Sequence, residues 1–101
     1  MEGSELISFT IIANAGDARS YAFGALQAAK EGKFEEAEEL LKKSDEAATA
    51  AHKAQTELLF KEANGEKTPV DVILVHAQDH LMTSMLASEL IKEIIALYKN
   101  K

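Results

Sequence analysis

Helical periodicity runs through this chain with only two interruptions, which limits the folds open to it. The 101 residues include one proline and five glycines. The strong breaks are KEGKF (30–34) and NGEKTP (64–69). Glycine after a helix and proline at the start of the next are typical helix boundaries. We predict that Thr68 caps a helix whose first residue is Pro69, and that three helices span about 4–31, 34–63 and 69–99.

The spacing of apolar residues favours helices over strands. In the second segment small and apolar residues recur every three or four positions, and most charged residues lie off that line. The first segment has a similar apolar stripe. Short connections make successive helices antiparallel neighbours. We therefore predict an all-α protein, one domain over residues 1–101, folded as an up-down-up three-helix bundle. The first stripe is wide: it runs through Leu6, Phe9, Ala13, Gly16, Ser20 and Phe23 and is flanked by Ile7, Ile11, Ala18 and Ala22.

The third segment is apolar over more of its circumference than a small bundle can cover. At about 100° per residue, its three apolar lines span well over half of the helix surface. One of these lines runs through Val72, Val75, Asp79, Met82 and Leu86. We expect an oligomer whose subunits meet along this helix. The alternative is a helix buried in a somewhat larger monomeric core.

Composition excludes several classes of function. The chain has no cysteine, so disulfides, thiolate metal sites and a cysteine nucleophile are excluded. Its formal net charge is −6, and Arg19 is the only arginine, which argues against nucleic-acid binding. The N-terminus has no basic region typical of a signal peptide, and no apolar stretch is long enough to span a bilayer. We expect a cytoplasmic protein without membrane insertion.

The apolar third segment contains three polar residues within five positions. His76 and His80 lie one turn apart, about 40° around the helix, and so share a face. Asp79 lies about 60° to the other side, on the apolar line between Val75 and Met82. A carboxylate there is costly unless it is paired or bound to a cation. Oligomer symmetry would bring copies of Asp79 together around a shared cation.

The two histidines allow several functions. HAQDH (76–80) is close to the H-x-x-E-H zinc pattern, but a third ligand is needed, and the only other histidine is His52. A metal-binding bundle using His76 and His80 is therefore one hypothesis. A second is phosphoryl transfer, in which the neutral His76 imidazole attacks a phosphoryl donor and His80 and Gln78 stabilise the product. A third is a helical oligomerisation module whose polar core residues are structural.

Three motifs give the chain a specific resemblance: GDARS (16–20), AHKAQTELLFKEANG (51–65) and HAQDHLMT (76–83). It closely resembles the lactose/cellobiose family of enzyme IIA proteins of the bacterial phosphoenolpyruvate-dependent sugar phosphotransferase system. The resemblance implies that His76 accepts a phosphoryl group through Nε2 from the histidine-containing phosphocarrier protein. It then passes the group to a cysteine of enzyme IIB. The membrane component IIC would be only an indirect partner.

The resemblance also implies an assembly and a metal. The family forms homotrimers of nine helices, and the aspartate at the position of Asp79 binds one structural magnesium ion per trimer. The lactose branch tends to carry glycine where Ala77 stands, so HAQDH resembles the cellobiose/chitobiose branch. A β-linked disaccharide is the expected sugar.

Four further polar residues are assigned from their positions alone. Gln55 lies on the inward line of the second segment, so we expect it to order the core. His52 lies on a different face and is expected to be partly solvated. The alternative is that one of these two residues approaches the active cleft. Asp17 and Arg19 are two residues apart and do not face each other on a helix. We interpret them as inter-helix or inter-subunit polar contacts.

Overall fold

A computed structural model describes residues 3–101, which form three helices: α1 (Gly3–Lys30), α2 (Phe34–Ala63) and α3 (Val72–Lys99). The molecule measures 52 × 22 × 19 Å. The start of α1 lies beside the end of α2, where Gly3 approaches Lys61. The middle of α1 packs against α3, where Gly16 contacts His80. The described residues contain no strand. The predicted all-α, up-down-up bundle is confirmed.

Glycine ends the first two helices as predicted. Gly32 and Gly65 have φ of +76° and +86°, which glycine adopts without steric cost. At the first end, the amides of Gly32 and Lys33 donate to the carbonyls of Ala29 and Ala28. The same pattern of two bonds closes α2 at Gly65. These bonds satisfy carbonyl groups that the helix itself leaves without donors.

The predicted start of the third helix was wrong by three residues. The helix begins at Val72, and Asp71, not Thr68, is the N-cap: its Oδ1 accepts the amide of Leu74 at 2.8 Å. Asp71 is extended, with φ −136° and ψ 178°, as an N-cap residue requires. Pro69 therefore precedes the helix and belongs to the connection, because a better cap lies two residues further on.

Removing this cap should weaken the start of α3. We expect Asp71→Ala to lower the free energy of unfolding by about 1 kcal/mol, the usual cost of losing an aspartate N-cap. Urea denaturation at matched protein concentration would measure it. Asp71→Asn, which keeps an accepting side-chain oxygen, is the control. Equal losses in both variants would assign the effect to charge and not to the hydrogen bond.

The central helix of the bundle is α1. Both α2 and α3 pack extensively against it and have few contacts with each other. Alanine dominates its buried face, so the helices approach closely. A buried hydrogen bond also connects α2 to α1: Ser44 Oγ donates to the Ala18 carbonyl at 2.7 Å. The buried apolar residues of α1 are Ile7, Ile11, Ala15, Ala18, Ala22, Ala25, Ala28 and Ala29.

The central line of the stripe predicted for the first segment is not the buried face of α1, whereas the residues predicted to flank it are buried: Ile7, Ile11, Ala18 and Ala22. Leu6, Phe9, Ala13, Ser20 and Phe23 are exposed in the single chain. The buried face is the neighbouring one, made of alanine and isoleucine, because a helix packed between two others favours small side chains.

Polar side chains connect α2 and α3 across the groove between them. The amides of Gln55 and Gln78 exchange two hydrogen bonds, each 2.7 Å long. Further along, Lys92 Nζ lies 2.8 Å from Asp45 Oδ1, and Lys99 pairs with Glu38. No helix in the described part of the chain is long and apolar enough to cross a membrane.

Candidate functional site

His76 lies in the second turn of α3, and its side chain is 56% exposed. Its Nδ1 lies 3.3 Å from Oδ1 of Asp79, one turn further along the same helix. When Nδ1 carries the ring proton and donates it to this carboxylate, Nε2 keeps its lone pair. The pair is thus suited to hold the imidazole in the tautomer whose Nε2 is nucleophilic.

The ring of His80 forms one wall of the site. It is stacked on the His76 ring, with centroids 5.4 Å apart and planes inclined by 24°. His80 is half-buried, because its ring lies over Gly16 of α1. The structure thus brings together three predicted residues, His76, Asp79 and His80, within two turns of α3.

Gln78 lies elsewhere on the helix. Two residues apart, it and His76 are separated by about 160° around α3. Its amide is bonded to Gln55 at one end of a groove of about 210 Å³ between α2 and α3. Contact between Gln78 and a phosphoryl group on His76 therefore stays a prediction, and it requires a second copy of the chain.

Asp79 points away from the bundle, with a side chain that is 63% exposed. It lies among large apolar side chains that the single chain leaves exposed. Within residues 3–101, no group of three or more His, Cys, Asp or Glu side chains could hold a metal ion. A zinc site built on His76 and His80 therefore lacks a third ligand from the described part of the same chain. The exposed apolar residues of α3 are Val72, Val75, Met82, Leu86, Leu90, Ile94 and Leu97.

The remaining polar residues singled out in the sequence are spread over the bundle. His52 is exposed on α2 and lines a shallow groove with Asp45 and Met85. The guanidinium of Arg19 lies 5.8 Å from the centre of the Phe23 ring on the same helix. Asp17 is exposed on α1. The ion pair and the ring stacking found for His76 among the described residues involve Asp79 and His80, not these three residues.

Sequence reasoning missed two contacts between helices, one to the site residue His80 and one to Gln78. It did not identify Gly16 as the residue under His80, or Gln55 as the partner of the Gln78 amide. A glycine inside a long helix was the available signal for Gly16, since glycine there is unfavourable relative to alanine. No pattern in the sequence pairs Gln55 with Gln78.

The family described as "PTS system, Lactose/Cellobiose specific IIA subunit" matches residues 6–99 of this chain. This range includes all of the site residues described above. The chain belongs to this family. Its members are enzyme IIA components of the phosphotransferase system, so the resemblance seen in the sequence is confirmed.

Relatives of known name or structure agree with this assignment. A lactose-specific enzyme IIA component from Streptococcus mutans is 50% identical over 98 residues, covering 97% of this chain and 94% of the relative. The crystal structure of the cellobiose-specific enzyme IIA from Bacillus anthracis has a TM-score of 0.96 and 52% identity, covering 99% of this chain and 92% of that one.

A third relative was solved with a protein partner. The chitobiose IIA of Escherichia coli, in its complex with HPr, has a TM-score of 0.84 and 45% identity, covering 99% of this chain and 97% of that one. The three relatives are named for three different sugars. Family membership therefore fixes the class of enzyme IIA and leaves the sugar to be determined.

Proposed function

We propose that this enzyme IIA carries a phosphoryl group on Nε2 of His76. The observation that carries the proposal is the exposed His76 ring with its Nδ1 3.3 Å from the Asp79 carboxylate. That arrangement orients the ring and leaves Nε2 free to react. The stacked His80 ring is a second polar group beside the phosphoryl group, to which its ring nitrogen can donate.

The chemistry is two successive in-line transfers. The Nε2 lone pair attacks the phosphorus of a phosphohistidine on the phosphocarrier protein, the new N–P bond forms, and the donor N–P bond breaks. In the second transfer a cysteine thiolate of enzyme IIB attacks the same phosphorus, and the electron pair of the broken bond returns to Nε2. No nucleotide is needed, since the donor already holds an activated phosphoryl group.

The partners follow from this chemistry and from the family. The complex of the chitobiose relative with HPr supports a histidine-containing phosphocarrier protein as donor. Enzyme IIB is the acceptor, and the membrane component IIC is reached only through IIB. Such a relay would operate in the cytoplasm. The sugar at its end is a β-linked disaccharide, of the cellobiose or chitobiose type rather than lactose.

The exposed apolar row of α3 supports a homotrimer. Seven large apolar side chains of this helix are exposed in the single chain. A soluble monomer rarely exposes so large a continuous apolar patch. Gln78 and His76 lie on opposite flanks of this row. Around a threefold axis, one flank of each α3 faces the opposite flank of the next. That packing would bring Gln78 of one copy toward His76 of its neighbour, where its amide can donate to the phosphoryl group.

The same packing supports a magnesium ion on the axis. Asp79 is the one acidic residue between the apolar positions Val75 and Met82, and its carboxylate faces outward. Three copies of this carboxylate would supply the oxygen ligands that Mg²⁺ prefers. The ion would neutralise three like charges inside an apolar interface. Its role is structural.

Mass spectrometry tests the carrier function. The intact protein is incubated with phosphoenolpyruvate, enzyme I and the phosphocarrier protein, and its mass is compared before and after. We expect a gain of one phosphoryl group per chain, labile in acid and lost on addition of enzyme IIB. Absence of the gain, with both general proteins active on another enzyme IIA, would overturn the proposal.

The metal and the phosphoacceptor should be separable by mutation. We expect Asp79→Leu to eliminate bound magnesium, because it removes the only charged ligand, and to retain phosphoryl acceptance by His76. Loss of the Nδ1 contact should slow the transfer about 10- to 150-fold, the value of one hydrogen bond to a charged group. Metal analysis and intact mass are the two measurements.

Asp79→Asn is the matched control, since its amide oxygen can still accept from His76 Nδ1 but carries no charge for the metal. We expect it to lose magnesium and to transfer faster than Asp79→Leu. Complete loss of phosphoryl acceptance in Asp79→Leu would show that the two roles are not separate.

A further inference from the structure

We propose that Gly16 of α1 is a positioning residue for phosphoryl transfer. It provides the space in which the His80 ring lies, and through that ring it sets the position of His76. This inference rests on the proposed function of His76, which the experiment below tests separately. It assigns a role to the glycine of the GDARS motif, which lies against His80.

The contact between the two helices is unusually close at this point. A methyl group at position 16 would lie 3.3 Å from Nε2 of His80, closer than side-chain carbons normally approach another atom. The His80 ring is in turn stacked on the His76 ring, with centroids 5.4 Å apart. Gly16, His80 and His76 therefore form a continuous row from the central helix to the phosphoacceptor.

Backbone conformation does not explain the glycine. The positive φ values among the described residues belong to Gly32 and Gly65, whereas Gly16 has helical geometry that any residue adopts. Alanine would be more favourable inside a helix. The close approach of the His80 ring is thus the feature of this position that disfavours a side chain.

A second glycine of α1 offers a direct comparison. A methyl group at Gly24 would lie 3.6 Å from Cδ1 of Leu40, an ordinary van der Waals distance. Gly24 is in the same helix, faces α2 and is remote from the histidines. Substituting alanine at either position removes one helical glycine, but only the substitution at Gly16 displaces a ring of the site.

The displacement should reach the reacting atom. With a methyl group at position 16, the His80 ring moves away from α1 by a few tenths of an ångström, and the stacked His76 ring has to adjust. Transfer between two proteins depends steeply on alignment, since an error of about 1 Å costs about 100-fold in rate. A shift of a few tenths of an ångström is then expected to cost about three- to tenfold.

The test compares Gly16→Ala with Gly24→Ala in the full-length protein. The rate of phosphoryl transfer from the phosphocarrier protein is measured by quenched flow, and the ¹⁵N resonances of the imidazoles are recorded by NMR. We expect Gly16→Ala to slow the transfer about three- to tenfold and to shift the resonances of His80 and His76. Gly24→Ala should match the wild type in both measurements.

A double variant separates positioning from a general effect on the helix. In the background of His80→Ala, where the ring is absent, Gly16→Ala should have no further effect on the rate. An equal loss in both backgrounds would overturn the proposal, as would a Gly16→Ala protein with unchanged rate and resonances. A wild-type protein that is not phosphorylated at His76 would instead overturn the proposed function, and the resonances would still show whether Gly16 positions the rings.

Discussion

His76→Ala is expected to abolish phosphoryl acceptance without changing the fold or the assembly. His76 is more than half exposed and contacts Asp79 and His80, not the core, so its removal creates no cavity. The free energy of unfolding should change by less than about 0.5 kcal/mol, as for other surface substitutions. No described side chain beside it offers an equivalent nucleophile, because His80 is half-buried against α1.

Intact mass after incubation with the phosphoryl donor measures this loss, and His52→Ala is the matched control. His52 is also an exposed histidine, but it lies on α2 beside Asp45 and Met85. We expect the control to acquire one phosphoryl group per chain at the wild-type rate. If His76→Ala were phosphorylated to the wild-type level, the residue that accepts the phosphoryl group would have to be one other than His76.

Leu86→Lys is expected to dissociate the proposed homotrimer. Leu86 is 56% exposed in the single chain, in the middle of the apolar row of α3. Burying a leucine contributes about 1.5–3 kcal/mol, and each trimer would lose three such contributions. Three lysine ammonium groups would also be brought close together without compensating charge. Sedimentation velocity should therefore show a change from trimer to monomer at micromolar concentration.

Leu59→Lys is the control for this substitution. Leu59 is a leucine of almost the same exposure, 58%, on α2, away from the apolar row. It should leave the sedimentation coefficient unchanged. A Leu86→Lys protein that remains trimeric would exclude the outer face of α3 as the interface. Dissociation by both variants would indicate that lysine acts by a general loss of folding.

Helix positions were predictable where the chain carries local signals. The glycines at 32 and 65 end helices through their own backbone preference, so the first two helices are placed within one residue. The start of α3 was misplaced because Thr68 and Asp71 are both good N-cap residues. The choice between them depends on how the connection crosses the end of the bundle, which is not a local property.

Periodicity could not predict which face of α1 is buried, nor which residues of other helices contact α3. Both faces of α1 have helical spacing, and only the requirement for small residues between two helices selects the alanine face. The spacing of a single helix was sufficient to place His76 and His80 on one face. The contact between His76 and Asp79 was not predicted, because the same spacing placed Asp79 to the other side of His76. Gly16 contacts His80 and Gln55 contacts Gln78 from other helices, and such contacts cannot be predicted from the spacing of α3 alone.

The central position of α1 also determines how the chain can fold. The pairing of α1 with α2 is a local hairpin closed by a short turn, whereas α3 must find α1 across the entire length of α2. Contacts between distant parts of a chain form more slowly, because a longer loop must close first. The hairpin of α1 and α2 should therefore be the early unit during synthesis. The helix that carries His76 joins last, so the proposed phosphoacceptor site is assembled only when folding is complete.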